Sequence, residues 1–135
     1  MRKSIFIAVS TCLLCVNTFS SCLAGNYSER DLQRAAQKLN KRMPMYPDKE
    51  TVLNNVTTGP GLTFSYNYTL KNYRAADLKL NEFYSWMRNN ISPKVCGSPD
   101  VTKFLKSDVT VRYVYKGNDG VTISDIPFTR RDCGI

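Results

Sequence analysis

The residue types that could carry chemistry in this chain are soon exhausted. Among 135 residues there are five cysteines, 11 carboxylates and no histidine. Without histidine there is no Ser-His or Cys-His nucleophile pair, no imidazole zinc ligand and no imidazole proton shuttle. Catalysis by lysine, tyrosine or carboxylate passes that test, but the acidic residues are scattered and form no recognisable acid/base pair. Asp119, Asp125 and Asp132 could meet a metal ion, yet their spacing matches no calcium loop. Gly59-Pro60-Gly61 and Gly117-Asn118-Asp119-Gly120 read as hairpin turns, not as phosphate cradles. These residues imply no cofactor, no metal and no enzyme.

The cysteines are more informative. Arg2 and Lys3 precede an uncharged, mostly apolar run from Ile5 to Val16, and small residues follow. A charged start, a short apolar middle and a small-residue end describe an export signal. The run is too short for the roughly 20 residues of a membrane-spanning helix. Phe19-Ser20-Ser21-Cys22 resembles a bacterial lipobox, in which the cysteine becomes acylated. Phe19 and Ser21 replace the usual Leu and Gly or Ala, and a signal peptidase I cut after Ala24 competes with it. The reading is an export signal over residues 1–24 and one domain over 25–135. If Cys22 is acylated, Leu23 replaces the Asp that retains many lipoproteins at the inner membrane, so delivery to the outer membrane follows by that resemblance.

Cys12 and Cys15 lie inside the signal, so their C-x-x-C spacing is not a redox motif. Either cut leaves Cys96 and Cys133 in the mature domain. In an oxidising compartment two such thiols read as one disulfide, with two unpaired buried thiols as the alternative. Four N-x-Ser/Thr strings, at Asn26, Asn55, Asn67 and Asn90, are about twice what chance gives for this acceptor pattern and are read as noise.

These residues need elements to position them. Ser28 and Asp31 form an acidic capping box, and Leu32, Ala36, Leu39 and Met43 follow at helical spacing, stopping before Pro44. Thr51 to Thr57 reads as a strand. Leu62, Phe64, Tyr66, Tyr68 and Leu70 then alternate with polar residues, the mark of a half-buried strand. That aromatic stripe could stack single-stranded nucleic acid, but sheet core is the commoner use, and an exported protein rarely meets nucleic acid. Leu80, Phe83, Met87 and Ile91 mark an amphipathic helix ending near Pro93. Ser98 caps a second, with Pro99 at its first position. Val109 to Tyr115 and Val121 to Thr129 form a second hairpin, with a bulge near Asp125 where the inward phase changes. The expected fold is α+β: a four-stranded antiparallel sheet from two hairpins, helices on one face and one disulfide.

Removing Arg2 and Lys3 leaves 17 basic residues against 11 acidic, a formal charge of +6. Arg30, Arg34, Lys38 and Lys41 place part of it on one side of the first helix. That stripe suits anionic headgroups or an acidic partner, and equally an ordinary solvated face.

Val95-Cys96-Gly97-Ser98-Pro99-Asp100-Val101, with the closing Arg131-Asp132-Cys133-Gly134-Ile135, resembles the secretin pilotins of the AspS/GspS-beta kind, outer-membrane lipoproteins of type II secretion. Order of strands and helices agrees as well. The resemblance implies a monomeric binding protein with Cys22 as lipid attachment point and Cys96 and Cys133 as the structural bridge. Its expected partner is the C-terminal segment of a secretin subunit, which it escorts to the periplasmic face of the outer membrane for assembly in type II secretion or a related pilus system. It names no groove residues. A secreted or periplasmic inhibitor or binding protein stabilised by one disulfide is the other class these residues permit.

Overall fold

A computed structural model describes residues 26–135. The export signal and Cys22 lie outside the described residues. The first described element is helix α1 (Glu29–Asn40). Ser28 caps it in both directions: its hydroxyl accepts from the Asp31 N–H at 3.2 Å, and its own N–H donates to the Asp31 carboxylate at 2.9 Å. Leu32 and Ala36 bury the inner side, and Leu39 and Met43 pack against the core from its margin.

Strands β1 (Thr51–Gly59) and β2 (Thr63–Leu70) form the first hairpin. Pairing runs Leu53 opposite Tyr68 and then Asn55 opposite Asn67, so Asn54 is an extra residue. This bulge lets Leu53 and Val56 both face the core, although three positions apart in a strand they would point to opposite sides. Helices α2 (Leu80–Gly97) and α3 (Pro99–Lys106) follow. Strands β3 (Thr110–Gly117) and β4 (Thr122–Phe128) form the second hairpin.

The expectation of a wholly antiparallel sheet is corrected here. Strand order is β1-β2-β3-β4, and the two hairpins meet through a parallel pair, β2 with β3. The connection between them is not a turn but the long helical crossover of α2 and α3. A crossover of that length brings the chain back to the end of the sheet where β2 began, so β3 starts beside Thr63 and runs the same way.

Two smaller expectations also shift. Helix α2 does not end near Pro93 but continues through it to Gly97. Proline removes one helical N–H and crowds the preceding turn. The far side is nevertheless fixed, because Val95 is buried and Cys96 is bonded to Cys133. The bulge in β4 falls at Ile123, since Tyr115 faces Ser124 and Lys116 faces Thr122. Ile123 and Ser124 are consequently both buried. The Ser124 hydroxyl has no hydrogen-bond partner among the described residues.

The inward residues of the four strands, with Leu32, Val95, Val101, Phe104 and Leu105 from the helices, form one core. All three helices pack on that face. The other presents Ser65, Asn67, Thr69 and the Arg112–Asp125 ion pair. Among the described residues, no helix is long and apolar enough to cross a membrane.

Candidate functional site

Helix α1 packs over β1 and β2, α2 over β4, and α3 over β3. The helices thus touch both central strands, burying Tyr113 and Tyr115 and leaving Tyr66 and Tyr68 half-buried between them. Parallel register sets Tyr66 beside Tyr113 and Tyr68 beside Tyr115, all on the inward face. The rings form a ladder: Tyr66 on Tyr113 at 5.3 Å between centroids, Tyr113 on Tyr68 at 6.4 Å, Tyr68 on Tyr115 at 5.0 Å. All three contacts are stacked within 16°. Offset stacking of this kind gives a rigid apolar surface with polar tips.

That ladder floors a groove. One depression of about 580 Å³ lies between the sheet and α2, with Trp86, Met87 and Ile91 as its wall and Pro47 and Asp48 at its lip. A second, of about 500 Å³, lies between α1 and α3 over Phe64. Tyr66 lines both, so the two adjoin at its ring. Trp86 stands at the rim with 60% of its surface exposed, its ring in a tilted contact with Phe83. A large exposed aromatic beside an apolar floor is the composition of a docking surface.

Burial holds the four phenols protonated. It raises Tyr115 to about 12 and pushes Tyr66, Tyr68 and Tyr113 upward as well, with Asp100 adding to the effect at Tyr66. None of the four hydroxyls has a hydrogen-bond partner among the described residues, and all four residues line the depression. Such a floor can hold a segment by ring contact and donate to its oxygen atoms. It supplies no nucleophile or base near neutral pH.

The residues singled out from sequence fall into three groups. Cys96 and Cys133 are joined in a disulfide with Cα atoms 5.3 Å apart, tying the end of α2 to the chain terminus. Asp119, Asp125 and Asp132 do not converge: Asp119 accepts from the Val121 N–H, Asp125 pairs with Arg112, and Asp132 pairs with Arg88. Among the described residues no cluster could hold a metal ion. In the aromatic stripe Phe64 belongs to the core, whereas Tyr66 and Tyr68 belong to the groove. Sequence reading saw both halves of the floor as strand faces but did not bring them together. Only the register of a pair distant in sequence joins Tyr113 and Tyr115 to it.

No family model matches the sequence, and no curated protein does. Three solved structures are similar in fold. A Pseudomonas aeruginosa protein classed as secreted superposes with a TM-score of 0.67 at 13% identity, over 81% of this chain and 99% of its own. The type II secretion pilotin EpsS of Vibrio vulnificus gives 0.62 at 16% identity, covering 78% of this chain and 90% of its own. The pilotin AspS of Vibrio cholerae gives 0.58 at 16% identity, covering 78% and 94%. The fold of residues 26–135 is thus that of the type II secretion pilotins.

Proposed function

We propose that this chain is a non-enzymatic envelope protein that holds the C-terminal segment of a secretin subunit and assists its targeting to the outer membrane. The observation that carries this reading is the open groove over β2 and β3, floored by four stacked tyrosines and walled by helices. A groove of that kind accepts an amphipathic helix laid along it, with its apolar residues against the rings. The pilotin-like fold supports the secretin as partner. The export signal over residues 1–24 supports the compartment, and an acylated Cys22 would place the domain a few residues from the membrane surface.

Co-purification of the mature protein with the secretin tail encoded in the same genome tests the reading. Trp86→Ala is the informative variant, because an exposed side chain is removed with little loss to the fold. It is expected to weaken capture by about tenfold, as loss of an aromatic anchor does. A secretin tail that fails to bind the wild-type protein, or binds the variant equally well, overturns the groove reading. Cys22→Ser tests the anchor separately: the folded domain should move from the membrane to the soluble periplasmic fraction. A mature chain starting at Gly25 would instead make this a soluble periplasmic factor.

A further inference from the structure

We infer that the segment held in the groove is acidic along both flanks of its apolar face. This deepens the proposed function and rests on it. Four cations line the groove: Lys38 on α1 and Arg42 in the turn after it, Lys103 on α3, and Lys94 on α2. None of them has an ion-pair partner among the described residues, although six other ion pairs form. Two carboxylates, Asp48 and Asp100, line it as well. Asp48 accepts the N–H groups of Glu50 and Thr51, both at 2.8 Å. Asp100 lies in the first turn of α3, where the helix dipole favours a negative charge. Four cations against two carboxylates leave the lining net positive, with cations on opposing walls.

That geometry selects among anionic partners. A flat headgroup surface would meet one wall at a time and leave the tyrosines uncovered. A rod lying in the cleft meets both walls while its apolar side covers the floor. Ion pairs at a rim choose the partner and its orientation more than they fix overall affinity. Of the basic stripe along α1 only Lys38 reaches the lining; Arg30, Arg34 and Lys41 do not.

The test uses the full mature protein with its disulfide intact and two labelled helical peptides of about 18 residues. They share one Leu/Phe face and carry either Glu or Lys on both flanks. Fluorescence anisotropy should show the Glu peptide binding about tenfold more tightly, and the difference should shrink between about 50 and 200 mM salt. Lys38→Glu with Arg42→Glu and Lys103→Glu should invert the preference, whereas Arg30→Glu with Arg34→Glu should leave it. Equal binding of both peptides, unmoved by the groove substitutions, overturns the acidic-flank inference and leaves the groove reading standing. Binding of neither peptide defeats both. Capture of anionic vesicles through Lys38, Arg42 and Lys103, without peptide preference, assigns these cations to lipid and overturns the inference.

Discussion

Arg88 reaches from α2 across the end of β4, donating to the Pro127 carbonyl at 2.8 Å and to Asp132 at 2.6 Å. Its guanidinium also lies 4.6 Å from the centre of the Phe128 ring. Burial raises the Asp132 carboxyl, but bonds from Thr129 and the charge of Arg88 outweigh that and leave it below its ordinary value. Asp31, Asp48 and Asp77 are lowered too, the first and last mainly by bonds from Ser28 and Arg74, and Asp48 mainly by the Glu50 N–H. A carboxyl depressed in the folded state contributes stability above its unfolded value of about 3.9, which is lost as pH falls through the folded one. The four raised tyrosines act at the other limit: their contribution is full below about pH 10 and lost as pH rises through the folded values. With no histidine, side-chain titration should leave the melting temperature flat between about pH 5 and 9. Thermal melts across pH would show a fall on both sides of that plateau, and a step near pH 6.5 would contradict it. Arg88→Ala should cost about 2 kcal/mol in urea unfolding. Gly117 is tighter still: a Cβ there would come within 2.9 Å of the Tyr73 carbonyl and 3.0 Å of the Arg74 Cα. Gly117→Ala should therefore lower stability by about 1–3 kcal/mol.

At the scale of elements, local signals were written in the sequence and distant ones were not. The Ser28–Asp31 box, the Ser98 cap with Pro99 behind it and the alternation through Tyr66 and Tyr68 each depend on residues only a few positions apart. All three are found where they were expected. Proline at position 93 misled, because a helix end was inferred from one residue while Val95 and Cys96 beyond it are held by tertiary contacts. Pro93→Ala should restore a helical hydrogen bond and raise stability by about 1 kcal/mol, less than a free helix would gain because the unfolded chain loosens too. An unchanged or lower melting temperature would show that the proline is accommodated without strain. The antiparallel expectation failed for a related reason. Each hairpin announces its own partner, but nothing in either one states which edge meets the other, or in which direction. Tyr113 and Tyr115 were therefore legible as a strand face and not as part of a site.

For the whole molecule, the disulfide between Cys96 and Cys133 closes a loop across the second half of the fold, with a sequence separation of 37. In the chain-entropy model a loop of that length contributes about 4 kcal/mol. Cys96→Ala with Cys133→Ala should lower stability by roughly that amount, and a reductant should act on the wild type alone. Neither change touches the groove floor, so the folded fraction of the double variant should still bind its partner. Titration calorimetry below its melting point checks this.

The parallel seam has a consequence for when the protein can act. Residues 26–74 supply Tyr66 and Tyr68, and residues 75–135 supply Tyr113 and Tyr115. Neither half owns a floor. Hairpins close quickly through neighbours in the chain, whereas a pairing across a long crossover forms late. The groove is thus a checkpoint on completed folding: an unfinished chain has nothing to grip with, and whatever occupies the finished one clamps the two halves together. A partner that binds only this joined state should raise the melting temperature in step with its concentration.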